Sequence, residues 1–304
     1  MKVLLTRRLP AAVIATLDGV AEVVQLDGDT SHEALVAAVR DVDALVPTVT
    51  DRVDRSVIEA GASLRLIANV GVGYNNIDVT AARERGIVVT NTPDVLSRAT
   101  ADLTWALILG ITRRIGEGER MVRRREWPGW AFDQLLGMEL NGKTLGIVGF
   151  GRIGREVAAR APAFGMRVVH TGRDADAIPL DRLLSTSDVV SLHVPLSDAT
   201  RHLIDQPALA RMKRSAYLIN TARGPVVDEA ALAWALKSRL LAGAALDVYE
   251  QEPQIHPDLF AFENVILAPH LGSATTETRT AMADLAVRNV VAVLSGKAPL
   301  TPVP

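Results

Sequence analysis

The sequence predicts an α/β protein made of two Rossmann-like, doubly wound parallel sheets, and three observations carry that prediction. Residues 144–173 hold a strand, a glycine turn, a helix and a second strand in about thirty positions. Short β-branched runs alternate with helical patterns on both sides of this segment. The chain has 304 residues, enough for two medium domains that each bury a core.

Before the glycine turn, strands are predicted at residues 2–5, 22–26, 44–46, 66–70 and 87–90. Between them lies a helix over 31–40, whose start carries a capping box formed by Thr30 and Glu33. A second helix follows Asp78 and stops at Gly86. From about 99 to 125 runs one long helical pattern with Leu103, Leu107 and Ile111 at helical spacing, ending at Trp127, Pro128 and Trp130. Such a helix is long enough to bridge two domains. After the turn, apolar strands at 189–192, 216–219, 244–246 and 265–267 complete the second sheet. A last helix over about 276–295 can return to the first unit, making that domain discontinuous. The expected division is residues 1–98 plus 277–304, and residues 99–276.

The glycine turn sets the first chemical expectation. Gly149, Gly151 and Gly154 follow the apolar run 145–148 in GxGxxG spacing, and each has its own task. The first permits a tight turn, the second lets backbone approach a pyrophosphate, and the third lets the helix pack on its strand with its N-terminus facing the phosphates. The next strand, 166–170, ends where an NAD enzyme places an acid on the ribose hydroxyls; here Thr171, Gly172 and Arg173 follow. A missing acid beside a guanidinium suits a 2'-phosphate, hence NADPH in preference to NADH. The alternative, a surface Arg173 with Asp174 as a displaced ribose ligand, stays open.

A net charge of −2 gives no basic footprint for polynucleotides or anionic membranes. With no cysteine, disulfides, thiolate chemistry and cysteine metal ligands are excluded. The N-terminus resembles a first strand more than a signal peptide, and no apolar run is long enough to span a bilayer, so a cytoplasmic protein is expected.

Ligands of open parallel sheets bind at the carboxyl ends of the strands. Three residues follow apolar strands there: Arg223, Glu252 and His270. Arg223 offers a fork matched to a carboxylate, His270 can exchange a proton near neutral pH, and Glu252 can hold the imidazole. The trio suits reduction of a 2-oxo acid, which needs a hydride on carbon, a proton on oxygen and a carboxylate anchor. Among the other histidines, His32, His202 and His256 are simplest as solvent-exposed groups. His170 and His193 also end strands, and by spacing alone His193 competes almost equally with His270.

Several segments in one order resemble the D-isomer-specific 2-hydroxyacid dehydrogenases: NVGVGYNNID (69–78), GFGRIG (149–154), HVPL (193–196), NTARGPVVD (220–228), ALDVYEQEP (245–253) and APHLGSAT (268–275). The resemblance runs over nearly the whole chain. It is strongest to the glyoxylate/hydroxypyruvate reductase branch, on residues 69–78, on TGR after the second strand and on GSATTETR (272–279). It implies Arg223 as substrate binder, Glu252 as carboxylate partner and His270 as proton donor, with His193 a cofactor-side neighbour. Val70 and Gly71 would offer backbone amides to the substrate carboxylate. Thr104, Arg152, Ile153, Thr171, Arg173, Pro195, Thr200, Thr221, Ala222, Asp247 and Ser273 fall where family members touch the cofactor. The resemblance also implies an interdomain active-site cleft and a homodimer joined through the central domain. In that dimer Trp130 would narrow the partner's substrate pocket, with Val49 as the facing wall; the alternative is that Trp127 and Trp130 simply pack the helix end on its own domain.

Within the family, a longer phosphoglycerate dehydrogenase would continue beyond Pro304, and a formate dehydrogenase would carry Gln in place of Glu252. The expected function is therefore NADPH-dependent reduction of small 2-oxo acids such as glyoxylate and hydroxypyruvate, with NADH also possible. The alternatives are a dehydrogenase for another D-2-hydroxy acid and a nicotinamide-sensing binding protein on the same fold.

Overall fold

A computed structural model describes residues 1–26 and 31–304. They form two compact units, Met1–Leu96 with Ala274–Pro304, and Ser97–Ser273.

In the first unit, strands β1 (Lys2–Leu5), β2 (Glu22–Gln25), β3 (Ala44–Val46), β4 (Leu66–Ala68) and β5 (Val88–Thr90) pair in parallel in the order β2-β1-β3-β4-β5. Helices α1 (Ala11–Ile14), α2 (His32–Ala38), α3 (Arg55–Ala60) and α4 (Val79–Glu84) make the crossovers. Successive strand residues point to opposite faces, so both faces are apolar and both are covered. Leu4, Leu45 and Ile67 pack with Val57, Ile58 and Ala81, while Val3, Leu5 and Leu66 pack with Val13 on the other side. Asp54 and Asp78 cap α3 and α4, each accepting from backbone amides of the first turn.

The second unit begins with α5 (Ser97–Thr112) and α6 (Ile115–Arg123). It continues through β6 (Thr144–Val148), α7 (Arg152–Arg160), β7 (Arg167–Thr171), α8 (Leu180–Thr186), β8 (Val189–Leu192), α9 (Gln206–Arg211), β9 (Tyr217–Asn220), α10 (Glu229–Lys237), β10 (Gly243–Leu246) and β11 (Val265–Leu267). The parallel order is β11-β10-β9-β8-β6-β7, which reverses between β6 and β8. A ligand crevice is expected at that reversal. Leu145, Ile147, Val189 and Ile219 meet Ile108 and Val157 on one face; Val190, Leu192 and Leu218 meet Leu183, Leu209 and Leu232 on the other. The last helix, α11 (Thr276–Leu294), packs Ala283, Ala286, Val287 and Val290 on the Val3 face of the first unit. No helix among the described residues is long and apolar enough to cross a membrane.

One local expectation is corrected, and one lies outside the described residues. The pattern over 99–125 is not one helix: Arg114 takes a left-handed φ of 53° and separates α5 from α6. The Thr112 carbonyl, which a continuous helix would offer to residue 116, instead accepts from Met138 N at 2.8 Å, and the Thr112 hydroxyl turns back on Ile108 O at 2.7 Å. A returning strand of backbone thus outcompetes the helical bond, which the periodicity of α5 and α6 does not report. The capping role read for Thr30 lies outside the described residues; α2 is capped by Ser31, whose Oγ accepts from Ala34 N at 3.2 Å.

Candidate functional site

Arg223, Glu252 and His270 leave the carboxyl ends of three neighbouring strands, β9, β10 and β11. His270 Nδ1 lies 2.8 Å from Glu252 Oε2, and Glu252 Oε1 accepts from Tyr249 N at 3.1 Å. Both side chains remain partly open to solvent, 31% for the imidazole and 25% for the carboxylate. Burial works against ionisation of Glu252. The hydrogen bond and charge of His270, the Tyr249 amide and Arg223 outweigh it and hold the carboxyl below its ordinary range. Arg223 is half-buried, and burial pulls its guanidinium below the ordinary value while Glu252 pulls it back.

Local backbone chemistry builds this arrangement. Asn220, ending β9, donates from Nδ2 to Arg223 O at 3.0 Å and accepts from Ala222 N at 3.0 Å, which shapes the loop beneath the guanidinium. Gly224 must be glycine, because a Cβ there would collide with the Tyr249 carbonyl in the loop that bears Glu252. Asp247 is buried, and its two oxygens accept from Leu271 N at 2.6 Å and Gly272 N at 2.8 Å. It clamps the turn in which His270 adopts a left-handed φ of 56°. Tyr249 adds a bond from its hydroxyl to Ala268 O at 2.8 Å. Asn220 and Tyr249 were not singled out from the sequence; an Asx-type residue at a strand end was the available signal for the first, and none marked the second.

The structure separates the two competing histidines. His193 follows β8 at the sheet reversal and is half-buried, with Nε2 2.8 Å from Ser191 Oγ and a buried Nδ1 without a partner. Burial lowers its pKa to about 3, so it stays neutral. His202 pairs with Glu250 at 2.9 Å. His32 and His256 are only half-exposed, each with a buried Nδ1, which corrects their reading as solvent-exposed groups.

The glycine turn fits a dinucleotide. Gly149 has φ 97° and lies against His193, where any Cβ would collide; a Cβ on Gly154 would strike the Gly149 carbonyl. A Cβ on Gly151 would meet nothing, so the space before the α7 N-terminus is open, and no side chain caps that helix. The amides of a helix N-terminus that faces open space are the donors a pyrophosphate needs. Arg152 and Ile153 occupy the first turn of α7. Thr171 Oγ1 accepts from Gly149 N at 3.1 Å. Thr104 and Thr221 hydroxyls meet at 2.9 Å in buried surroundings. Thr200 Oγ1 donates to Pro195 O at 2.6 Å and orders the loop after β8. Ser273 is half-buried after the Asp247-clamped turn. Arg173 is exposed after β7, and Asp174 Oδ1 is held by His170 Nε2 at 2.8 Å.

In the first unit, the Val70 N–H is already given to Pro47 O at 2.8 Å, which corrects its reading as a substrate donor. The Gly71 N–H has no partner among the described residues, and Val49 packs so closely over Gly71 that a Cβ there would collide with it. Trp127 and Trp130 are 54% and 82% exposed, so Trp130 does not pack the end of α6 within its own unit. A cavity of about 230 Å³ beside Tyr217, Ala242 and Asn264 lies at the amino ends of β9 to β11, the edge away from the trio.

Residues 105–272 match the family "D-isomer specific 2-hydroxyacid dehydrogenase, NAD binding domain". The chain is 45% identical to a glyoxylate reductase of Thermococcus onnurineus, over 99% of this chain and 95% of that one. It is similar to the solved TT0316 protein of Thermus thermophilus, with 46% identity, a TM-score of 0.94 and 100% of both chains covered. It is also similar to an NADPH-dependent glyoxylate/hydroxypyruvate reductase of Sinorhizobium meliloti, solved with NADP and malonate, with 36% identity, a TM-score of 0.90 and coverage of 99% and 96%.

Proposed function

The chain belongs to the D-isomer specific 2-hydroxyacid dehydrogenases, oxidoreductases acting on CH–OH donors with a nicotinamide-binding domain, and from that premise we propose an NADPH-dependent reductase of glyoxylate and hydroxypyruvate. The observation that carries this reading is the 2.8 Å pair of His270 and Glu252, placed with Arg223 at one edge of the sheet. A bound reduced nicotinamide supplies the hydride that the carbonyl carbon receives.

This chain's residues do the rest. The Arg223 fork binds the substrate carboxylate and draws charge toward the carbonyl oxygen. Glu252 accepts the Nδ1–H of His270, which fixes the ring so that Nε2 presents its proton outward to that oxygen. The substrate gains one hydride and one proton, and His270 is left neutral. Asp247 positions the imidazole through the backbone of residues 271 and 272. The amides at the start of α7, with Thr171 and Arg173, would hold the dinucleotide.

Further substrate contacts are assigned to the Gly71 amide and Val49, and the assembly to a homodimer in which Trp130 of the partner subunit limits pocket size. The exposure of Trp127, Trp130, Phe132 and Leu136 in one segment supports that assignment, because several large exposed apolar side chains suit an interaction surface. Steady-state rates for a panel of 2-oxo acids with both reduced cofactors test the function. Glyoxylate and hydroxypyruvate with NADPH should give the highest kcat/KM; binding of cofactor without turnover of any 2-oxo acid would leave a nicotinamide sensor instead.

A further inference from the structure

Four side chains stack at the end of β7 in a way that the proposed reaction does not use. His170, the last residue but one of β7, is nearly buried, its side chain 11% exposed, and its ring stacks on Phe150 of the glycine turn with centroids 3.8 Å apart and planes 19° apart. The Arg155 guanidinium lies 4.4 Å from the Phe150 ring centre. Both nitrogen-bearing side chains converge on one acid: Asp174 Oδ1 is 2.8 Å from His170 Nε2, and Asp174 Oδ2 is 3.7 Å from Arg155. The His170 bond lowers the Asp174 carboxyl below its ordinary range, so the acid is ionised and engaged on both oxygens. The backbone locks the same turn, with Ile178 N on His170 O at 2.9 Å and Ala177 N on Asp174 O at 3.2 Å.

Asp174 is the first carboxylate after β7, close to where an acid grips the ribose hydroxyls of NADH and repels a 2'-phosphate. We propose that His170 and Arg155 are positioning residues for cofactor choice: they tie Asp174 down, away from the ribose, and so leave Thr171 and Arg173 to a 2'-phosphate. This rests on the NADPH reading above. The choice between cofactors then depends on restraint of an acid that is present as much as on the presence of Arg173. A freed Asp174 carboxylate would swing toward the 2'-position, where it can accept from a hydroxyl but faces a phosphate as a like charge.

The test is direct titration of NADPH and NADH by nicotinamide fluorescence, without substrate, so that turnover is not involved. His170→Phe keeps the ring stacked on Phe150 and removes only the bond to Asp174. It should lower the preference for NADPH over NADH by roughly two- to fivefold, the range of a near-surface charge contact. Arg155→Met, at an exposed position of α7 where folding is not at stake, should move the ratio the same way by a smaller factor. Adding Asp174→Asn to either variant should restore the preference, which a merely structural role for His170 would not predict. A wild type that prefers NADH overturns the NADPH reading and this inference with it. A wild type that prefers NADPH, with a ratio unchanged in His170→Phe and Arg155→Met or unrestored by Asp174→Asn, overturns this inference alone.

Discussion

Glu252 and His270, 18 residues apart, meet at 2.8 Å because β10 and β11 are neighbours and release their loops at the same edge. Against the cost of burial, the hydrogen bond and charge of His270 hold the Glu252 carboxyl below its ordinary range, so an ionised acceptor fixes the ring. Glu252→Gln keeps the size of that side chain and removes its charge, and should lower kcat on 2-oxo acids by about tenfold or more while NADPH still binds. A kcat equal to that of the wild type would detach Glu252 from the proton donor.

Substitution of His270 by Ala should lower kcat on the order of a hundredfold or more, as loss of a general acid does, while NADPH still binds. His193→Ala should cost far less, since burial keeps the ring neutral. The opposite ranking in steady-state kinetics would mean that the acid is His193.

His193 has a separate role in stability. Its folded pKa of about 3 lies below its ordinary 6.5, so the unfolded chain takes up the proton first. The stability it contributes is complete above about pH 6.5 and is lost as pH falls toward 3. His193→Gln, which keeps a partner for Ser191, should flatten that loss. At about 1.4 kcal/mol per unit, the difference between wild type and variant should reach roughly 3 kcal/mol near pH 4. Urea midpoints of cofactor-free protein at neutral and acid pH check it, and parallel acid trends for both proteins would show that His193 does not titrate on unfolding.

Arg173 is exposed and has no partner among the described residues, as a group awaiting an anion should be. Arg173→Ala should weaken NADPH about ten- to a hundredfold and leave NADH nearly unchanged. Equal losses for both cofactors would remove Arg173 from the 2'-phosphate.

Trp130→Ala should raise activity on branched or aromatic 2-oxo acids relative to glyoxylate, with the NADPH constant unaltered, because a bulky substrate would no longer meet an unyielding indole. If the variant is folded and dimeric with an unchanged substrate ranking, the size filter lies elsewhere.

The order of strands and helices and the three glycines are legible in the sequence because they are local. Short apolar or β-branched runs, an Asp before a helix and GxGxxG each act within a few residues, so β1, β3, β8 and β11 lie where the pattern puts them. The candidate trio was legible only as three polar residues after apolar strands, and His193 met the same criterion. Tertiary structure gives the two different surroundings: burial leaves His193 neutral, whereas His270 faces a carboxylate at 2.8 Å. It also decided what local pattern cannot carry. The break between α5 and α6 depends on Met138 N reaching Thr112 O, and the Val70 amide is consumed by Pro47. Asp174 is likewise held by His170 and Arg155. In each case a polar group has several possible partners along the chain, and the one it takes is fixed by which strand ends and turns the packed sheet brings within hydrogen-bond reach.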